Sequence, residues 1–546
     1  MKCSYWQTVI FRIGLIGIIA LGAGACGNTH SGQQQVFRYN QTVGLASLDP
    51  AFAKSQEVIW AVKHIYNTLV EPDSQLQIRP SLARSWQVSA DHRTYTFDLR
   101  TDVYFQDHAA FPGGKGRRMT AQDVVYSLRR IMDPATASPG AWIFNGKLSA
   151  DTGFRAINDS TFAITLYRPF HPILGILSMQ YCSVVPQEVV EKYGKDFRNH
   201  PCGTGPFRFF FWEEGQALVL HRHPQYFEKD STGRRLPYLD AVQISFLDSK
   251  AAEFLLFRQG KLDFMNDIDA SFKDEVLTKQ GKLKKEWEGR LILDKHAYLN
   301  TEYLGILTDS NNKIVQASPL RFKKVRQAIN YGIDRTKMMT YLRNGIGMAA
   351  HAGFVPAGLP SFDATLVKGY PYAPEKARQL LREAGFPDGK GLPAIRLLSI
   401  PVYADLANYV ANQLQEVGIR IQVEVLQKSA LMEQTAKSQA LFFRGSWIAD
   451  YPDAESYLAM FYSKNPAPPN YTRYANPAFD VLYERALQEN NDSIRYDLYR
   501  QMDRLLMADA PVVPLFYDES IHLVQPGITG LEGNGLNILE LRRVKK

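Results

Sequence analysis

With 546 residues, 45% hydrophobic and 22% charged, the chain has the composition of a globular protein of about three domains, which excludes the disordered and fibrous classes. Lys+Arg 63 against Asp+Glu 55 leave a net charge of +8, but the cations are spread along the chain instead of gathered in blocks, so a nucleic-acid footprint is not supported. Aromatic residues reach 12%, a supply of flat amphipathic surface that lines ligand clefts in some proteins and fills cores in all of them.

The chain opens with an export signature. Lys2 and Arg12 precede the uncharged run Ile13–Ala25, too short for the roughly 20 apolar residues of a spanning helix but suited to a signal-peptide core over residues 1–25. The run ends in LGAGAC, which resembles the lipobox of bacterial lipoproteins. That resemblance implies acylation of Cys26, with Ala23 standing where the lipobox prefers leucine. A secreted protein with an incidental cysteine is the alternative. Residues 26–35 are polar and read as a flexible tether. Of the four cysteines, Cys3 lies in the signal and Cys26 would be lipidated, which leaves Cys182 and Cys202 in an oxidising setting. A disulfide and two buried thiols are both open, because spacing does not show whether the Cα atoms come within reach.

Strand-like and helix-like periods interleave through the remainder, which predicts a mixed α/β fold. TYTFDLR sets Tyr95, Phe97 and Leu99 on one face of a half-buried strand. His221 and His223 would share a strand face, but no third ligand is placed beside them, so surface histidines and no metal are expected. Phe322, Val325 and Ile329 form a helical stripe, with Lys323, Lys324 and Arg326 on the solvated side. Gly345–Ala350, GIGMAA, fits a dinucleotide pattern by letter but follows a helix-like segment where that fingerprint needs a strand. Pro374 and Glu375 open a helix carrying Ala377, Leu380, Leu381 and Ala384 that stops at Gly385. GIRIQVEV puts Ile419, Ile421, Val423 and Val425 on one strand face. HExxH, CxxC, GxSxG and Walker-type motifs are absent, which removes the signatures of zinc proteases, redox proteins, serine hydrolases and nucleotide hydrolases.

The segment FRGSWIADYPDAESY, Phe443–Tyr457, gathers three acids. Asp450 follows the apolar run LFFRGSWIA, where a carboxylate needs a partner, and a ligand ammonium would serve. Asp453 and Glu455 read as first-turn acids of a following helix. Calcium does not suit the segment, since the third position from Asp450 is Pro452 and the sixth is Glu455. An exported hydrolase pairing Asp450 with Asp453 or Glu455 is the alternative from another class, because sequence does not give the separation of two carboxyl groups.

Several segments, in this order and spacing, carry a resemblance. They are SLDP (Ser47–Pro50), PSLARSW (Pro80–Trp86), TYTFDLRTDVYF (Thr94–Phe105), MTAQDVVYSLRRIMDP (Met119–Pro134), PCGTGPF (Pro201–Phe207), VRQAINYGIDR (Val325–Arg335) and SWIADYPD (Ser446–Asp453). Through them the chain resembles the extracytoplasmic solute-binding proteins of peptide-type ABC transporters over nearly its whole mature length. The resemblance implies an α/β, two-lobed periplasmic-binding-protein fold, type II-like, with a hinge and an extra subdomain. Lobe I would comprise residues 36–70, 198–296 and 515–546, the extra subdomain 71–197 and lobe II 297–514.

The implied function is that of a lipid-anchored receptor on the periplasmic or outer side of a bacterial membrane. It would capture short peptides by hinge closure and deliver them to an ABC permease, as a monomer with no enzymatic activity, cofactor or nucleic-acid partner. The resemblance assigns Asp450 to the ligand ammonium, Arg444 to the ligand carboxylate, and Gly445, Ser446 and Trp447 to main-chain partners and an aromatic wall. It also implies a cleft tyrosine where this chain has Gly140, with Trp142 nearby. Other branches of the family bind glutathione, haem, metal chelates or oligosaccharides, which keeps a non-peptide solute as an alternative. The glycines of PCGTGPF read as backbone geometry, since no lysine follows to hold a phosphate.

Overall fold

A computed structural model describes residues 34–149 and 153–546, so the export segment, Cys26 and the tether up to Gln33 lie outside the described residues. The first described strand is β1 (Val36–Gln41), followed by the short hairpin β2 (Val70–Pro72) and β3 (Ile78–Pro80). Next come β4 (Ala83–Val88), β5 (Thr94–Leu99), β6 (Phe154–Asn158) and β7 (Thr161–Thr165), which form a separate four-stranded sheet ordered β4-β5-β7-β6. The chain continues through β8 (Phe207–Glu213), β9 (Ala217–Arg222), β10 (Ala241–Phe246), β11 (Phe264–Asn266) and β12 (Ile292–Ile306). It then adds β13 (Met348–Ala349), β14 (Ile395–Ser399), β15 (Ile421–Val425), β16 (Phe442–Ile448) and β17 (Val512–Val524). These join β1 in an 11-stranded sheet ordered β15-β14-β16-β12-β17-β11-β1-β10-β9-β8, with β13 on β17.

The apolar patterning accounts for most of these elements. Tyr95, Phe97 and Leu99 are buried, and β5 sits between β4 and β7 as the alternation requires. The helix Pro374–Glu383 begins with proline at its first turn and buries Ala377, Leu380 and Leu381; Gly385 follows it with φ +90°. β15 is the edge of the large sheet, and its alternation fades there: Ile421 and Val423 are half-buried and Val425 is 45% exposed. Two expectations are corrected. Phe322 precedes the helix Lys323–Tyr331 as its N-cap residue and is 37% exposed, leaving Val325, Ala328 and Ile329 as the buried face. Arg326 is not solvated: it donates to the carbonyls of Asp509 and Ala510, satisfying the C-terminal end of the helix Asp492–Asp509.

The molecule has two lobes, and the large sheet runs through both. β12 and β17 pair antiparallel at its middle, with β16, β14 and β15 on one flank and β11, β1, β10, β9 and β8 on the other. One core, built on Leu304, Val325, Leu397, Val410 and Val513, covers the first flank; another, built on Phe37, Tyr39, Trp60 and Phe207, covers the second and extends over the four-stranded sheet. The β12–β17 register breaks between the pairs Ala297–Glu519 and Thr301–Tyr517, so Tyr298, Leu299 and Asn300 face Asp518 alone. Such a bulge loosens the ladder and sharpens the local twist.

In PCGTGPF, side chains at Gly203 and Gly205 would meet the Ile65 carbonyl at 2.3 and 2.5 Å. Gly205 N–H donates to that carbonyl at 2.8 Å. The glycines therefore serve close backbone approach, which holds the loop against the helix Gln56–Ile65.

Candidate functional site

β14 and β16 run parallel with one paired position, Leu398 with Phe443, and β14 ends at Ser399. β16 continues to Ile448, bonded to β12 along its other side. Beyond the end of β14, one lateral edge of β16 is therefore free of any strand among the described residues. Ala449 N–H donates to Leu299 O and Leu307 N–H to Leu441 O. By the alternation of an antiparallel ladder, Gly445 and Trp447 also aim their main-chain groups at β12, while Ser446 and Ile448 aim theirs at the open side. Ser446 is thus the member of the expected Gly445–Trp447 trio that presents its backbone, and Ile448 is a second presenter that sequence reading missed.

Gly445 has a packing reason to be glycine, because a side chain there would lie 2.6 Å from the Tyr303 ring. Trp447 rests half-buried against the larger core, and its indole N–H is buried without a hydrogen-bond partner among the described residues.

Asp450 stands just past the end of β16, on the wall of a cavity of about 410 Å³. Its N–H donates to Ser456 Oγ at 3.2 Å, but its carboxylate has no ion pair or hydrogen bond among the described residues. Asp450 is exposed along the cavity wall, where the surrounding protein partly desolvates it and no cation among the described residues lies within pairing distance. That desolvation, together with the nearby Glu455 carboxylate, pushes its pKa up to about 6.

The other two acids of the segment are committed internally. Asp453 accepts from Glu455 N–H at 2.9 Å and pairs with Arg495 at 3.5 Å. Glu455 opens the helix Glu455–Leu458, is buried, and accepts from the hydroxyls of Tyr451 and Tyr483. A hydrolase pairing Asp450 with either of them would need a carboxyl free to meet substrate, and neither is free.

Lys54, Lys63, Trp142, Tyr181 and Tyr298 share the cavity wall with Asp450. Lys63 donates to Ser178 O at 2.9 Å, and burial lowers its pKa. Its charge interrupts the mostly apolar stretch VIWAVKHI, a signal that could have singled it out. The Tyr181 ring lies directly on Gly140, where an added side chain would meet it at 2.5 Å. Where the resemblance implies a cleft tyrosine, this chain thus has glycine with a tyrosine from another segment filling the space. Burial and the Asp450 charge push the Tyr181 phenol up to about 12.

Arg444 does not present an open fork. Its guanidinium is bound in two-pronged fashion by Glu302, with Nη2 to Oε2 at 2.6 Å, and it lies 3.7 Å from the Tyr403 ring centroid. Burial raises the Glu302 carboxyl above its ordinary range while Arg444 pulls it back. Of the two alternatives left open for Cys182 and Cys202, the structure has the buried thiols, both free. Cys182 Sγ donates to Ile176 O and Cys202 Sγ to Gln106 O, each at 3.4 Å, so each sulfur is engaged with its own surroundings. His223, expected at the surface, is buried with Nδ1 3.0 Å from Gly205 O.

Residues 77–469 match the model of the bacterial extracellular solute-binding proteins, family 5, middle region. The glutathione-binding protein GsiB of Shigella flexneri serotype 5b is 26% identical over 493 residues, covering 89% of this chain and 89% of that protein. The periplasmic oligopeptide-binding protein OppA of Salmonella typhimurium is 27% identical over 545 residues, covering 95% and 94%. Among solved structures, the ABC transporter-associated periplasmic binding protein DppA from Helicobacter pylori in complex with the peptide STSA is similar, with a TM-score of 0.72 at 25% identity, over 93% of this chain and 98% of that one. With a family match that runs over most of its length, this chain belongs to the bacterial extracellular solute-binding proteins, family 5.

Proposed function

We propose that this protein is an extracytoplasmic receptor that captures short peptides in the cavity beside β16 and delivers them to an ABC permease. The observation that carries the proposal is the unpaired Asp450 carboxylate facing that cavity next to the free edge of β16. A peptide's α-ammonium supplies the missing cation, and its extended backbone pairs with Ser446 and Ile448 as an added strand. Main-chain bonding of this kind is indifferent to side-chain identity, so sequence tolerance is expected. The oligopeptide-binding name of OppA and the peptide in the DppA structure support the same reading.

The bulge at Tyr298–Asn300 supports a lobe boundary near residues 297 and 515, with lobe I at 36–70, 198–296 and 515–546, lobe II at 297–514 and the extra subdomain at 71–197. Closure about that pair of strands encloses the ligand. Arg444 reaches a ligand carboxylate by exchange with Glu302. Acylated Cys26 would tether the receptor to its membrane. The internal commitment of Asp453 and Glu455 supports a binding protein over a hydrolase.

A second reading is favoured by the modest cavity and by GsiB: glutathione, itself a tripeptide-sized zwitterion with an ammonium for Asp450. Native mass spectrometry of the gently purified protein distinguishes the two. A ladder of short-peptide masses is expected, a single mass of glutathione would select the second reading, and a ligand without an amino group would overturn both.

A further inference from the structure

Three metal-ligating side chains meet away from the cavity, on the two strands that join the halves of the large sheet. Asp294 and His296 lie two apart on β12 and so share a face, and His522 of β17 stands directly opposite Asp294. Asp294 Oδ2 is 3.2 Å from His522 Nδ1 and 3.5 Å from His296 Nδ1, and one donor atom from each residue lies within 4.8 Å of the others. An ion held tetrahedrally at about 2.1 Å keeps its donors about 3.4 Å apart, so little movement is needed to close this trio around one.

The hydrogen bonds around the trio point the same way. His522 Nε2 is 3.0 Å from Asn537 Oδ1, while the Nδ2 of that amide is directed at Gln56 Oε1 at 3.5 Å. With the amide so oriented, the imidazole donates through Nε2–H to Asn537 and directs Nδ1 at the Asp294 carboxylate. That contact calls for a positive charge between nitrogen and carboxylate, which either a proton on Nδ1 or a metal ion supplies. Among the described residues, neither buried ring nitrogen of His296 makes a hydrogen bond of ordinary length, Nδ1 keeping only its 3.5 Å contact with Asp294, and the ring is pressed against Gly533, where an added side chain would come within 2.2 Å of Nδ1.

We propose that Asp294, His296 and His522 form a binding site for one divalent transition-metal ion of the zinc type. Two imidazoles and one carboxylate favour such an ion over magnesium or calcium. Asn537 fixes the ring of His522 from behind, the usual arrangement for a metal-binding histidine. Asp294 keeps 30% of its side chain exposed, which leaves a path for the ion and for a water in the fourth position. His296 immediately precedes Ala297, where the β12–β17 register breaks, so the ion would pin both strands beside the bulge. The site does not depend on what the cavity binds.

The test is calorimetric titration of the chelator-stripped protein with Zn²⁺ alone, beside Asp294→Asn, His296→Gln and His522→Gln. The wild type should take up one ion with Kd of about 10 μM or below, and each variant should bind it at least about tenfold more weakly. Saturating Zn²⁺ should raise the Tm of the wild type and not of the variants. Co²⁺ should give the wild type, and not the variants, the visible absorption of a four-coordinate ion. Asp294→Asn keeps both imidazoles and changes a part-exposed position, and its metal-free melting curve verifies folding. Zinc binding of equal strength in the wild type and Asp294→Asn, or none in the wild type at 100 μM, would overturn the proposal.

Discussion

Arg444 on β16 and Glu302 on β12 form a two-pronged ion pair across neighbouring strands, with the Glu302 side chain wholly buried and that of Arg444 10% exposed. Because the fork is filled, a ligand carboxylate must share or displace Glu302. Amidating a peptide's C-terminus should therefore weaken wild-type binding by less than about tenfold, about 1.4 kcal/mol. Glu302→Gln removes the competing charge and should enlarge that penalty in isothermal titration; equal penalties in the two proteins would take Arg444 out of carboxylate recognition. The variant also leaves a buried guanidinium without its counter-charge, so chemical denaturation should show a loss of about 3 kcal/mol.

Asp450→Asn should weaken peptide binding by about 3 kcal/mol, because an enclosed ammonium loses its only counter-charge. N-acetylating the peptide removes the other half of the same contact. The two changes should therefore cost little more together than either does alone. Additive losses would show that the amine binds elsewhere.

The unpaired state of Asp450 is legible in the sequence, because a lone acid after an apolar strand has few local ways to be neutralised. The commitment of Asp453 and Glu455 to the start of a helix is legible for the same local reason. What pairs with Arg444 is not, since Glu302 lies 142 residues away and only the β12–β16 register brings it alongside. Period-two patterning marks β16 as a strand but does not say where β14 stops, and that end point decides that Ser446 and Ile448 present their backbones. The Tyr181 ring over Gly140 is equally hidden, because a glycine advertises room without naming what fills it. Cysteine counting leaves two options that only the separate acceptors of Cys182 and Cys202 distinguish.

Gly140→Ala should displace Tyr181 from the cavity wall, since the new methyl would sit 2.5 Å from its ring and an aromatic ring cannot yield that much in place. A drop in Tm and weaker peptide binding are expected. Tyr181→Ala alone should also lower the Tm, because the ring is buried, and the two losses should be less than additive in the double variant, where the clash is gone. A Tm unchanged by Gly140→Ala would mean that the ring moves freely and does not shape the site.

Alkylation mapping should find Cys182 and Cys202 unmodified in the folded protein and both modified in urea without reductant, since each thiol is buried and unpaired. Burial raises both thiol pKa values, which suppresses the reactive thiolate. Dithiothreitol should leave the Tm unchanged; a fall would reveal a disulfide.

The pH dependence of binding follows from Asp450. In the free protein its carboxyl is raised to about 6, whereas a bound ammonium favours the ionised form and lowers it. Binding therefore releases a proton at acid pH, and affinity should fall below about pH 6 with a limiting slope of about tenfold per unit. It should be level from there to about pH 8, above which the peptide amine loses its own proton. For folding of the unliganded protein the sign is opposite. A carboxyl raised above its unfolded value of 3.8 contributes stability that is fully present below that value and is lost as pH rises through about 6. Saturating peptide should cancel that loss, so the ligand-induced rise in Tm should itself grow from pH 5 to pH 7. In Asp450→Asn the acid limb should disappear from both measurements; if it persists there, the titrating group is another residue.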